Sequence, residues 1–466
     1  MDRLSSLDAE FLHIEDADAP AHIAGLCLME GPPPSIAQLR RLISERMHLI
    51  PRYRQRLDGV PLGLGRPTWV DDPDFRLANH VRRRRVPAPG GPDDLDRLVE
   101  SLLEPLLDRS RPLWQLWLLD NLADDRWAVL GIVHHCLTDG VAGMQLLEAL
   151  FDVEPDAPAS APEPWDPSDA PNGLRRIVDA WTGFAGDLGS WAAGLAGDAT
   201  HPLRLATNLA GQASGVARLL SALRPTPPSS IEGSVGPRRT WGHTSVRLAD
   251  ISTIRRQFGG TANDVLLAAT TAGYRELLAA HGDDLDCVTI RSAIPVSVRA
   301  GEEGGNRVAA MVLDLPVHIA DPVERLVVVT EQMTALKASH ETDATAALTH
   351  VADLIPPLVI STATRWAIRI QHAATQRSIT TIVTNVPGPQ FPLYSLGRQM
   401  VEFVPYLGLS QGIRVITAIA SYDGRVAIAA TGDAASVPDA GIVATVAARE
   451  ISTLRQLASE TAKRSP

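Results

Sequence analysis

The sequence predicts an α/β protein built as two similar layers of mixed sheet and helix. Three observations carry that prediction. Strand-like apolar runs alternate with segments of helical periodicity in both halves of the chain. At 466 residues the chain is too long for one ordinary core. A stretch rich in Pro, Ala and Asp, Val153 to Pro171, interrupts the alternation and reads as an exposed linker. The expected organisation is a first domain over residues 1–156, a helical and linker connector over 157–239, and a second domain over 240–466.

In the first region, Ala21 to Met29 reads as a strand. Ser35 to Met47 has helical spacing through Ile36, Leu39, Leu42, Ile43 and Met47. Asp93 to Leu107 is a second amphipathic helix. Pro112 to Leu119 and Arg126 to His134 are strand-like, and the short Asp120 to Asp125 segment between them predicts an antiparallel hairpin. Arg82 to Arg85, four arginines in a row, reads as an exposed loop, or as a patch for anionic phosphates or an anionic membrane surface. In the connector, Trp181, Phe184, Leu188, Trp191 and Leu195 form an aromatic-rich stripe at helical spacing. It either packs on the protein or rests on lipid. Arg224 to Arg239 is a second break.

In the second region, Thr244 to Leu248 resembles a strand and Ala249 to Phe258 a helix. Thr261 to Ala280 is a long, largely buried helix with Asn263 and Asp264 near its start. Val288 to Val298 and Arg307 to Leu315 look like strands, and Pro322 to Ala338 like a helix. Ser378 to Val386, Gly412 to Tyr422 and Arg425 to Thr431 complete the strands, and Asp439 to Ala458 closes the chain with a helix.

Composition narrows the function. The formal net charge of −11 argues against a nucleic-acid binder, which needs a basic surface. Cys27, Cys136 and Cys287 show neither a disulfide framework nor zinc-ligand spacing, so a reducing, cytoplasmic setting is expected. The first twenty residues carry acids throughout and do not read as a signal peptide. No run of about 18 apolar residues predicts a membrane span, so membrane contact is expected to be peripheral.

The chemistry is concentrated in Trp127 to Leu150. An apolar run ends in His134 and His135, and Asp139 and Gly140 follow before a helical pattern. An imidazole is thereby placed at the C-terminal end of a buried strand, where ligand chemistry in α/β proteins gathers. The pattern HHxxxDG suits a general base that deprotonates a hydroxyl or thiol during acyl transfer, because a neutral imidazole titrates near working pH. Cys136 adjoins His135 but should point to the opposite face of the strand, as a small apolar filler. A zinc site on His134, His135 and Asp139 is disfavoured, since adjacent residues converge poorly on one ion. Trp69 and Trp114 read as core.

The chain resembles the bacterial wax ester synthase/diacylglycerol acyltransferase family along nearly its whole length. The matching blocks are LSSLDAEFLHIEDADAPAHIAGL, RQRLDGVPLGLGRPTWVDDPDF, PLLDRSRPLWQLWLLDNL and VHHCLTDG in the first half. GTANDVLLA, IPVSVR, GNRVAAMVLDLP and TNVPGP follow in the second. The resemblance implies two chloramphenicol-acetyltransferase-like domains with a tunnel between them. It makes His135 the base, acting with His134, Asp139 and Gly140 as the motif. It makes Asn263 a candidate oxyanion donor, and a backbone N–H near Gly140 another. Asn385, in the turn after an apolar strand, is a candidate for substrate positioning and for a hydrogen bond across the domain interface. In related folds the motif carboxylate pairs with an arginine that holds the loop, and Arg299 is the matching residue for Asp139. The activity implied is acyl-CoA-dependent esterification of diacylglycerol or a long-chain alcohol, with acyl-CoA as co-substrate and no metal or other cofactor. Attachment to the inner membrane or lipid droplets is implied by the insoluble product. The competing expectations are another hydroxyl acceptor, or a catalytically weak lipid-binding relative.

Overall fold

The computed structural model describes residues 3–59, 66–137, 149–156, 164–168, 224–299, 306–338 and 378–464. Two six-stranded sheets organise them. The first contains β1 (His22–Glu30), β4 (Val81–Arg85), β5 (Trp114–Leu122), β6 (Arg126–His134), β12 (Tyr394–Ser395) and β13 (Arg398–Leu407), in the order β12-β13-β1-β6-β5-β4. The second contains β8 (Arg239–Arg247), β9 (Ile290–Arg299), β10 (Asn306–Leu315), β11 (Thr381–Pro387), β15 (Val415–Tyr422) and β16 (Arg425–Asp433), in the order β10-β9-β11-β15-β16-β8. Two short pairs complete the strands: β2 (Gln55–Asp58) with β3 (Thr68–Asp71), and β7 (Glu232–Gly233) with β14 (Gly412–Ile413). Pairing is antiparallel except for β4 with β5 and for β11 with both β9 and β15. The sheets are therefore mixed, as expected.

β5 and β6 form the antiparallel hairpin read from the sequence. Their apolar side chains bury almost continuously, and Trp114 and Trp127 are fully enclosed. Each indole keeps a partner for its N–H, on the carbonyls of Tyr53 and Glu30 respectively. Helix α1 (Ser6–Ile14) is N-capped by Ser5. Helix α2 (Ile36–Arg46) starts in a capping box from Ser35 and Gln38, and turns Leu39, Leu42 and Ile43 inward. The single turn α3 (Leu77–His80) leads into β4, and α4 (Pro92–Leu103) buries Leu95, Val99 and Leu103.

The second sheet is covered by α5 (Leu248–Phe258), α6 (Ala262–Ala280), α7 (Pro322–Ala338) and α8 (Ile442–Arg464). α6 and α8 approach closely at Gly273, where an added Cβ would stand 2.4 Å from the Val443 carbonyl oxygen. Tyr274 ties α6 to the sheet beneath. Its buried hydroxyl lies 2.6 Å from Thr381 Oγ1 on β11 and 2.9 Å from Thr417 Oγ1 on β15.

Two departures from the sequence reading bear on the first sheet. Arg82 to Arg85 are not a loop. They lie in β4, the terminal strand of the first sheet, parallel to β5. Arg83 pairs with Asp120 and Arg85 donates to Asn121 on one face, while Arg82 and Arg84 lie over the Trp117 ring on the other. Charged side chains on an edge strand discourage pairing with another chain. The second departure is β13. It comes from the second half of the chain, yet it pairs with β1 in the first sheet, Leu26 opposite Val404. Tyr422 reinforces this crossing by donating to the Met400 carbonyl and accepting from the Leu393 N–H.

Candidate active site

β6 ends at His134, and the chain turns into a short 3-10 segment, His135–Leu137. The turn is fixed by the His135 N–H, which donates to the Ala21 carbonyl just before β1 at 2.9 Å. α1 closes over it from the side. Phe11 stacks on the His135 ring, with centroids 3.8 Å apart and planes 17° from parallel. Burial pushes the His135 imidazole down to about 4. A hydrogen bond to the residue's own backbone opposes that shift, and the neighbouring His134 adds to it. The ring is therefore neutral at physiological pH and able to accept a proton.

His134 is fully buried and does a different job. Its Nδ1 accepts from the Cys136 N–H at 3.1 Å, and its Nε2 lies 3.3 Å from Glu15 Oε1. Burial alone would raise the Glu15 carboxyl. Its contacts with His134, and then with the Arg109 guanidinium, outweigh burial and hold it at about 2. Glu15, Phe11 and Arg109 escaped the sequence reading, because Glu15 stands in an acidic run that looks solvated. Cys136 is enclosed in the apolar core, and burial raises its thiol well above the usual range. It has the character of a filler and not of a nucleophile. Trp69 and Trp114 are also core residues.

A second cluster forms in the other half. Gly259 and Gly260 both adopt positive φ, 81° and 77°, in the turn that ends α5. Thr261 then caps α6, with Asp264 donating its backbone N–H to the Thr261 hydroxyl and accepting from the Thr261 N–H. Asn263 is thus placed in the first turn of α6. Asn385, on β11, donates from Nδ2 to Asn263 Oδ1 at 3.2 Å. The two asparagines singled out in the sequence do come together. Their bond lies within the second half, however, and not across the domain interface.

Asp139 and Gly140 lie outside the described residues, as does the aromatic stripe from Trp181 to Leu195. Arg299 is the last residue of β9, and its side chain is outside the description too. The two halves meet where α4 lies against β8: Glu100 accepts from the Trp241 N–H at 2.8 Å, and Asp96 lies 3.2 Å from His243 Nε2. Among the described residues, no helix is long and apolar enough to cross a membrane.

Comparisons with known proteins agree with this architecture. The model of the wax ester synthase/diacylglycerol acyltransferase catalytic domain matches residues 4–266, and that of the family's C-terminal domain matches residues 304–455. A Mycobacterium tuberculosis protein named as a diacylglycerol O-acyltransferase is 33% identical over 449 residues, covering 95% of this chain and 94% of its own. A second protein of that name from the same species is 30% identical, covering 94% and 87%. Among solved structures, the wax ester synthase/diacylglycerol acyltransferase of Marinobacter aquaeolei VT8 superposes with a TM-score of 0.71 at 22% identity, covering 98% of this chain and 100% of that one. The starter condensation domain of rhizomide synthetase gives a TM-score of 0.57 at 15% identity, covering 98% and 94%, and shares the fold. With the catalytic-domain match spanning more than half of its length, the chain belongs to the wax ester synthase/diacylglycerol acyltransferase family and is an acyltransferase.

Proposed function

We propose that this protein transfers the acyl group of a long-chain acyl-CoA to diacylglycerol or to a long-chain alcohol, with His135 as general base. The observation that carries this reading is the neutral His135 imidazole, set by its low pKa and clamped under Phe11 at the end of β6. Nε2 is proposed as the ring nitrogen that takes the proton of the acceptor hydroxyl. The hydroxyl proton passes to Nε2 as its oxygen attacks the thioester carbon. The tetrahedral intermediate then collapses, the C–S bond breaks, and the proton passes from Nε2 to the departing thiolate. The transfer is direct, with no acyl-enzyme.

Asn263 is proposed as the donor to the oxyanion. Asn385 occupies its Oδ1, so its Nδ2 is the end turned to substrate. Asp139 and Arg299 are proposed to pair and hold the loop after His135, with Gly140 supplying the turn. A tunnel between the two halves would bring both substrates to His135. Because the product is insoluble, the protein is proposed to work while peripherally attached to the inner membrane or a lipid droplet.

The test is ester formation from palmitoyl-CoA by wild type and His135→Ala, with diacylglycerol and hexadecanol offered separately. Loss of the base is expected to lower the rate by about 100- to 10,000-fold with either accepted substrate. Ester made by the folded variant at the wild-type rate rejects His135 as the base. Failure of wild type with both acceptors, with the thioester intact, points to another hydroxyl or to a lipid-binding role.

A further inference from the structure

We infer that Glu15 is the positioning residue for His135, acting through His134. The inference rests on the reading of His135 as the base. Glu15 follows the last residue of α1, and its side chain is only 2% exposed although it is an acid. A buried carboxylate is costly unless every lone pair is used. Here Oε2 accepts from Arg109 Nη2 at 2.6 Å and Nε at 3.2 Å. Oε1 accepts from the Ala21 N–H at 3.1 Å and lies 3.3 Å from His134 Nε2.

Both of the Oε1 contacts lead to the His135 turn. Ala21, held through its N–H by Glu15, uses its carbonyl to accept the His135 N–H at 2.9 Å. His134, facing Glu15 through Nε2, uses Nδ1 to accept the Cys136 N–H at 3.1 Å. The backbone N–H groups of two successive residues, His135 and Cys136, are thus fixed by groups that one carboxylate holds in place. Arg109 in turn anchors that carboxylate to α1 by donating to the Leu12 carbonyl at 2.9 Å, and α1 carries the Phe11 ring that covers His135.

The arrangement also dictates a tautomer. A backbone N–H can only donate, so His134 Nδ1 must be unprotonated and the ring proton must sit on Nε2, the nitrogen 3.3 Å from Glu15 Oε1. The carboxylate charge favours a proton on the ring nitrogen nearest to it, Nε2. Without it, a fully buried Nε2–H loses that attraction. Moving the proton to Nδ1 would set two donors against each other at Cys136. Either outcome shifts the turn that carries the base, and catalysis is sensitive to displacements of about 1 Å.

The experiment is steady-state kinetics on Glu15→Gln, Glu15→Asp, His134→Gln and the double variant E15Q/H134Q, with His135→Ala alongside. Glu15→Gln is expected to lower kcat by about 10- to 100-fold while KM for palmitoyl-CoA stays within about twofold, because Glu15 touches no substrate. Glu15→Asp should recover part of that loss. The double variant should be no worse than the poorer single one, since both changes break the same link. A kcat for Glu15→Gln within about twofold of wild type, or losses that multiply in the double variant, overturns the inference. Should Glu15→Gln not fold, 15N-histidine NMR of the wild-type protein decides, with His134 assigned by comparison with His134→Gln. The Nε2–H form is expected, and an Nδ1–H ring overturns the inference. If His135→Ala keeps full activity, the proposed function fails. If His135→Ala is dead while Glu15→Gln is not, only the role of Glu15 fails.

Discussion

His135 has a pKa of about 4, set first by its burial, and this makes a kinetic prediction. An imidazole at its ordinary value of 6.5 would give kcat/KM an acid limb near that pH. Here kcat/KM should stay level down to about pH 5 and halve only near 4. The fold sets a competing limit through His22, which burial also depresses to about 4. Between 6.5 and 4 the unfolded chain binds a proton at this position that the native one does not, so stability falls as pH falls through that window. Glu15 behaves differently: its contribution is complete above 4.5 and is lost only as pH drops toward 2. The rate profile should therefore be recorded with circular dichroism at each pH. A limb near 6.5 in protein that remains folded would contradict the neutral, buried base.

At the residue scale, the candidate site was only partly legible. His135, Asn263 and Asn385 stand in short motifs whose residue types carry their chemistry. Glu15 does not, because HIEDADAP contains two more acids, Asp16 and Asp18, and only tertiary contact selects which one is buried. Arg109 is equally anonymous in DRSRP.

Among the elements, helix α7 and strand β6 match the sequence reading at both ends. A continuous apolar run or a sustained helical period leaves little freedom there. β4 and β13 were missed for opposite reasons. The arginines of β4 hide a strand whose geometry comes from parallel pairing with β5. In β13, Pro405 and polar positions break the alternation. The contact of α6 with α8 allows a direct test. Gly273→Val would push a side chain into the Val443 backbone, and should cost about 1–3 kcal/mol in urea unfolding. Asn263 and the Tyr274 hydroxyl lie on the same helix, so lower activity is expected as well. A variant as stable as wild type would show that the two helices can part without penalty.

For the whole molecule, the two halves are bound by more than a surface. β12 and β13 complete the first sheet on one side, and α4 meets β8 on the other. A fragment of residues 1–239 contains the candidate base but lacks β13. It should therefore fail to give a cooperative unfolding transition, whereas the full chain gives one. Adding the second half in trans, residues 240–466, should restore the transition if the missing strands are what it lacks. A fragment that unfolds cooperatively alone would mean that the first sheet is self-sufficient without β13.

The pairing of Leu26 with Val404 spans most of the polypeptide. At a synthesis rate of about 5–20 residues per second, β1 leaves the ribosome on the order of 20–80 s before its partner does. During that interval one edge of a largely apolar strand stays unsatisfied. The turn bearing His135 is hung from Ala21 at the start of that same strand. An acyltransferase of this build would then complete the sheet that carries this turn only after the second half of β13 has been synthesised.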